Sequence, residues 1–467
     1  MLNRNVKLQP HQQRAIERIR DQRSLVVAHG TGTGKTLTGI GGFEELKKKG
    51  KAKKALVVAP SSLRTNFAQH GVEKFTDSSV QVINKGDESI DPNADYAVVS
   101  STLFASNPEK YVQGRDTLIL DEAHNARNAG TKLNKALEQY AGHFENKIML
   151  TASPFNNKPG DLVPLLNLAK GAKDYNPSTF DKDYVKEVKK RIGLFGEGVE
   201  RETFNPDKRL SEDLRTFFDY EKGSGLPKTT EEIVRVPMGK QQSKAYQYAW
   251  QKMPAHVRRT IQNNVLPNKK DSVGFFGAIA NARLASNNPE SILVNAKGET
   301  SAKVKQLLDD LAEPKKTMVY SNYDQHGAEV IRKALDRSSI PASQISGKMN
   351  RKKKDEQIEG FKKGKGGDVF ITTPTGKEGI SLPNIEREVI FDPHWNPEVT
   401  RQAIGRGVRV DSVADEVNIK QYLAVEPERK LLGFIRRKPT PSVEEWIHSV
   451  AERKKDLQRQ VLREIIS

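Results

Sequence analysis

Short runs of Val, Ile, Leu and Ala recur along the chain, each ending in a polar, turn-forming stretch. The first series is LVVAH (25–29), ALVVAP (55–60), YAVVS (96–100), TLILDEAH (117–124) and KIMLTAS (147–153). Helical-looking segments separate these runs. Continuous apolar runs mark strands buried on both faces. Their alternation with helices predicts a parallel sheet in an α/β fold. A second series, TMVYS (317–321), DVFITT (368–373), EVIFDP (388–393) and NIKQYLAV (418–425), repeats the arrangement. Two α/β lobes are therefore expected. The stretch between them, about 160–295, is polar, interrupted by Gly and Pro, and mostly helical where it has a pattern. It reads as an insertion and a hinge. The expected domains are 1–160, 161–295, 296–425 and 426–467. In the last of these, Trp446, Val450, Leu457, Val461 and Ile465 fall at helical spacing. They predict a helix packed on the second lobe.

With 467 residues the chain can form two or three domains with cores of their own. Lys and Arg number 77 against 59 Asp and Glu, a formal charge of +18. That balance favours a polyanionic partner, nucleic acid first, with plain solubilising charge as the alternative. The chain has no cysteine. This excludes disulfides, thiolate metal sites and cysteine nucleophiles, and it fits a reducing cytoplasm. No apolar run has transmembrane length and the N-terminus does not read as a signal peptide, so no membrane partner is expected. Aromatic residues make up 7%, which disfavours a platform stacking base after base.

LVVAHGTGTGKT (25–36) carries the first chemistry. A strand leads into Gly30, Gly32 and Gly34, and Lys35 and Thr36 then open a helix. Such glycines let backbone N–H groups curl toward phosphate oxygens, and the helix N-terminus adds partial positive charge. Lys35 can reach β and γ phosphates, and the Thr36 hydroxyl can ligate Mg. The strict pattern wants glycine where this chain has His29. In TLILDEAH, Asp121 and Glu122 follow an apolar strand 85 residues after Thr36. Asp121 would hold Mg through its water shell, and Glu122 would orient and deprotonate an attacking water. Acids in the first turn of a helix are the plainer alternative. In VIFDPHWNPEVTRQAIGRGVR (389–409), Gln402, Arg406 and Arg409 are spaced i, i+4 and i+7. That spacing places them on one helical face, aimed at an anion.

With these blocks in order, the chain resembles helicase superfamily two, and within it the Swi/Snf-type DNA translocases. LQPHQQ (8–13) resembles the adenine-reading segment, with Gln12 in the glutamine's place. ALVVAPSSLRTNF (55–67), DEAHNARN (121–128) and LTASPFNNKPGDLVPLLNL (150–168) resemble successive first-lobe motifs, and LPKTTEEIVRVPM (226–238) resembles the strand that follows the first-lobe insertion. TMVYSNY (317–323), ISGKMNRKKKDEQIEGF (345–361), TTPTGKEGISL (372–382) and the WNP-to-GVR block resemble those of the second lobe. Ala152 and Ser153 stand where Gly-Thr is commoner, and VDSVAD follows Arg409 in place of the usual ending.

The resemblance implies an α/β fold of two tandem RecA-like lobes, with a mostly helical insertion and hinge between them. It implies ATP with Mg in the cleft and duplex DNA, branched forms included, across both lobes. Arg409 is then the expected arginine finger, with Arg406 reaching the same phosphates and Gln402 positioning water or its neighbours. His124, Thr151, Ser153 and Gly379 would couple the nucleotide state to DNA. Ser61, Arg64, Ser101, Lys348, Lys354, Thr373 and Gly376 are the expected contacts to DNA phosphates. The lysines at 47–54 read as a solvated loop. The function expected is ATP-dependent tracking along duplex DNA in the cytoplasm. A strand-separating or branch-migrating helicase and a nucleotide-gated DNA clamp are the alternatives.

Overall fold

The apolar runs of the first half become strands β1 (Ser24–His29), β2 (Ala55–Ala59), β4 (Tyr96–Ser100), β5 (Thr117–Leu120) and β6 (Asn146–Thr151), with the short β3 (Val80–Val82) added. These come from a computed structural model, which describes all residues except 156, 193–195, 224–225, 268–271, 297, 348, 375–381, 383, 409–411, 428–429, 432–434 and 437–439. Every residue of β1, β2, β4, β5 and β6 is buried. That is why their apolar positions run on without alternating. The sheet order is β3-β4-β2-β5-β6-β1-β9, where β9 is Phe218–Glu221. All of its pairings are parallel. The carboxyl ends of the strands therefore share one edge, where open α/β sheets bind ligands.

The second sheet has the order β10-β15-β14-β11-β13-β12 and is likewise parallel throughout. Its strands are β10 (Lys228–Pro237), β11 (Thr317–Tyr320), β12 (Ala342–Gln344), β13 (Val369–Thr372), β14 (Arg387–Ile390) and β15 (Glu416–Val425). β10, from the stretch that resembles the strand following the first-lobe insertion, pairs along its whole length with β15.

The chain divides into two units. The first comprises Met1–Lys186, Thr203–Gly225 and Asp456–Ser467, and the second Glu187–Glu202 and Leu226–Lys455. The stretch 161–295 is thus shared between the units and forms no body of its own. It also contains strands: β7 (Val185–Ile192) and β8 (Gly196–Phe204) form a two-stranded sheet, and β9 and β10 join the two large sheets. In β10, Thr229, Thr230, Ile233, Val234 and Val236 are β-branched, and strand propensity outweighs the stretch's polar appearance. The C-terminal helix, Val443–Ile466, also differs from the expectation. Trp446 and Val450 lie in a core of the second unit, whereas Leu457, Val461 and Ile465 lie in a core of the first.

Candidate active site

The phosphate loop leaves β1 and enters helix α2 (Lys35–Lys48). Gly32 (φ 78°) and Gly34 (φ 75°) take left-handed backbone that a side chain would strain. Inside the loop, the Thr33 hydroxyl donates to the Gly30 carbonyl at 2.8 Å, and Lys35 Nζ donates to the same oxygen at 3.0 Å. Thr36 is half-buried at the start of α2. Helix α1 (Pro10–Gln22) brings Gln12 onto the loop, where its Nε2 donates to the Thr33 carbonyl at 2.9 Å. Gln12 also touches Gly34, since a Cβ there would lie 2.4 Å from Nε2. The expected base-reading and phosphate-cradling residues are therefore neighbours.

Asp121 and Glu122 follow β5, which is separated from β1 by β6 alone. At about 4.8 Å per strand, the two loops start roughly 10 Å apart on one edge. Asp121 is buried. Burial first, then the charge of Glu122, raises its carboxyl to about 6, against the pull of Lys35 and His124. The Thr36 hydroxyl and the Asp121 carboxylate are hard oxygen donors of the kind that suits Mg. A cation would relieve the electrostatic cost that raises Asp121. Glu122 sits at φ 49°, an uncommon conformation for a non-glycine residue. The 3-10 turn Ala123–Ala126 that follows brings His124 Nδ1 to 3.1 Å from Glu122 Oε2. Thr151, at the end of β6, places its hydroxyl 3.4 Å from the same His124 nitrogen. Thr151 Oγ1 donates to the Ser153 carbonyl at 2.7 Å and accepts from the Ser153 N–H at 3.1 Å. Glu122, His124, Thr151 and Ser153 thus form one connected path in the first unit.

Ser61 and Ser101 follow β2 and β4 on the same edge, and the Ser101 hydroxyl donates to the Ala59 carbonyl at 3.2 Å. Arg64 spends its guanidinium on backbone carbonyls of Ser61 and Ile83. Within the lysine-rich stretch, Lys51 donates to the Arg20 carbonyl at 2.8 Å, and Lys47 and Lys54 also have partners. It is less free than a solvated loop.

In the second unit, the helix Pro397–Ile404 starts at Asn396, whose side chain accepts from the Glu398 N–H at 3.0 Å. The WNP stretch therefore supplies an N-cap and a proline at the first helical position. Trp395 stacks against His394 and Phe276, each with ring centroids 4.3 Å away. The helix ends at Ile404, because Gly405 and Gly407 favour turns over a continued helix. Gln402 and Arg406 consequently do not share a continuous helical face. Gln402 is exposed, whereas Arg406 is buried. Arg406 Nη1 donates to Thr372 Oγ1 at 2.9 Å, and its guanidinium lies 5.8 Å from the Tyr320 ring centre. Burial lowers the Arg406 pKa, opposed by Tyr320 and Glu388. In this conformation Arg406 is committed within its own unit and does not present a free phosphate-binding group. Thr373 is buried after β13, and Lys354 lies half-buried on the helix Arg351–Lys362. Arg409, Gly379, Gly376 and Lys348 lie outside the described residues.

Two features escaped the sequence. Glu388 is fully buried on β14, and a Cβ on Gly407 would lie 2.2 Å from its Oε1. Burial raises its carboxyl well above the usual range, opposed by the Gly407 and Val408 N–H groups and by Arg406. Its only signal was an acid inside an apolar strand. Asp219 on β9, in contact with His29, is the other, and FFDYE (217–221) hides it in the same way.

Among the described residues no helix is long and apolar enough to cross a membrane. The SNF2-related domain matches residues 9–319, and the helicase conserved C-terminal domain matches 299–411. An Acanthamoeba polyphaga mimivirus protein, named as an ATP-dependent RNA helicase, is 22% identical over 97% of this chain and 95% of its own length. The Bacillus subtilis (strain 168) protein YwqA, named as an ATP-dependent helicase/translocase, is 24% identical over 82% of this chain. This chain spans 42% of YwqA's length. The Hef helicase domain of Pyrococcus furiosus is 16% identical, covers 91% of this chain and 98% of its own, and superposes with a TM-score of 0.55, a likeness of fold. Two parallel-sheet units, a phosphate loop beside a DEAH turn, and family models covering most of the chain agree. The chain belongs to the SNF2-related family of superfamily-two helicases, enzymes that use ATP on a fold of two RecA-like lobes.

Proposed function

We propose that this enzyme is a DNA-dependent ATPase that tracks along duplex DNA without separating its strands. The observation that carries this reading is the WNP helix start directly before QAIGRGVR, in a chain whose family uses ATP. The formal charge of +18 supports a nucleic-acid partner. Lys35 and the loop N–H groups would hold the β and γ phosphates, and Thr36 and Asp121 would hold Mg. Bound there, Mg supplies Lewis-acid stabilisation of the phosphate oxygens. Glu122 would orient and deprotonate the attacking water, and its contact with His124 leads to Thr151 and Ser153. Arg409 is assigned as the arginine finger, the role the family resemblance implies for it.

Contacts to DNA would be mainly to phosphates, hence insensitive to sequence and sensitive to salt. An RNA-directed activity is the second reading, favoured by the name of the mimivirus relative. ATP turnover should be measured with duplex, single-stranded and forked DNA and with RNA, alongside triplex displacement. Stimulation by duplex with triplex displacement and no unwinding of the fork is expected. Stimulation by RNA or single strands alone overturns the proposal.

A further inference from the structure

We infer that His29 and Asp219 are positioning residues for the nucleotide, acting through the phosphate loop and helix α1. The inference rests on the family's use of ATP and is independent of which nucleic acid the enzyme follows. His29 occupies the position where the strict loop pattern has glycine, and it is fully buried. Its Nε2 lies 2.7 Å from Asp219 Oδ1. Asp219, also buried, takes Arg14 in a two-point contact at 2.9 and 3.0 Å and Arg18 Nη1 at 3.0 Å. Burial alone would raise this carboxyl, yet the hydrogen bonds from His29 and Arg14 hold it well below the usual carboxylate range. An ionised Asp219 accepts only, so His29 Nε2 carries the proton. Its Nδ1, buried and without a hydrogen-bond partner, is then a bare lone pair.

Arg14 and Arg18 sit on α1, the helix whose His11 and Gln12 reach the Thr33 carbonyl at 3.0 and 2.9 Å. The His11 and His29 rings also meet edge to face, with centroids 5.2 Å apart. β9 reaches the loop from the other side. The Gly30 N–H donates to the Glu221 carbonyl at 2.8 Å, and a Cβ on Gly30 would lie 2.4 Å from the Lys222 carbonyl oxygen. One carboxylate therefore fixes three parts of the nucleotide site together: the base-side helix, the first residue of the phosphate loop, and the strand behind it. Burying a carboxylate and an imidazole, with Arg18 half-buried and Arg14 exposed beside them, is an expensive way to close a sheet edge, because apolar side chains would do so at lower desolvation cost. The arrangement makes sense as a device that sets geometry.

Substitutions H29G and D219N, singly and together, test this. The readouts are the equilibrium affinity for a fluorescent ADP analogue, the KM for ATP, and kcat at saturating ATP. Loss of positioning before chemistry should raise Kd and KM about tenfold and change kcat less than about threefold. The double variant should match the weaker-binding single variant, because both break one link. Unchanged Kd and KM, an effect confined to kcat, or single effects that multiply in the double variant would each overturn the inference. Circular dichroism and thermal denaturation establish folding. If D219N does not fold, H29G decides alone, since it restores the standard glycine: unchanged affinity overturns the inference, and weakened affinity supports it.

Discussion

Replacing Asp121 with Asn should stabilise the first unit while abolishing catalysis. The native carboxyl sits at about 6, against 3.8 for an ordinary Asp, because burial and then Glu122 disfavour its charge. Between those values the folded state keeps a proton that the unfolded chain has lost. The contribution of this group to stability is therefore full below about pH 4, declines as pH rises toward 6, and stays reduced above it. The difference amounts to about 3 kcal/mol at pH 7.5, an upper bound because the Asn amide also loses hydration. The same relation leaves about half of that at pH 5. Denaturant titrations of D121N and the parent, free of metal and nucleotide, should show D121N ahead by up to that amount at pH 7.5. The margin should shrink at pH 5, and ATP turnover should be lost. A variant no more stable at pH 7.5, or a margin independent of pH, would refute the electrostatic account of this site.

E122Q should lower ATP turnover by roughly a hundredfold or more while leaving ADP affinity within about threefold, because the water-orienting group is lost and the phosphate loop is intact; K35A should lose both, as read by turnover and nucleotide titration. Lys303 and Glu444 form a fully buried pair at 2.6 Å, with Glu444 also accepting from the Ala424 N–H at 2.7 Å. K303M should cost about 3–5 kcal/mol in denaturant titration, and K303M/E444L should recover most of it. Burial favours the protonated form of Glu388, so E388Q should change stability by less than about 1 kcal/mol, whereas E388A should cost about 2–4 kcal/mol through the cavity it leaves. A large loss in E388Q would show that the carboxyl is ionised beside Arg406.

Buried parallel strands were the most legible part of the fold. Runs such as LVVAH and ALVVAP have no polar face to disguise them, and they fell within a residue or two of β1 and β2. Edge strands were not legible from composition, for the opposite reason. In KTTEEIVRVP, the stretch of β10, most side chains are exposed or half-exposed, so composition resembles a linker and only the family resemblance marks the strand that pairs with β15. The C-terminal helix shows a third case. Its apolar spacing predicted a buried stripe, but one stripe packs equally well on any apolar partner. Nothing in the periodicity marked the change of unit after Lys455.

The candidate site divides along the same line. Residues whose roles depend on neighbours in sequence, such as Gly32, Gly34, Lys35 and the Asp121–Glu122 pair, were readable because strand, turn and helix follow one another directly. Residues whose roles depend on distant partners were not. Arg406 looked like a free cation because its spacing to Gln402 was helical. Only the fold shows Thr372, Tyr320 and Glu388 gathered around it, with a glycine on each side bending the chain inward. His29 looked like a departure from the phosphate-loop pattern, because its partner lies 190 residues later on the edge strand β9. A glycine at that position could satisfy the loop's own backbone, but it could not tie the loop to a carboxylate that also holds α1. The substitution therefore exchanges local freedom for a long-range constraint. Such an exchange becomes visible only when both ends of the constraint can be placed.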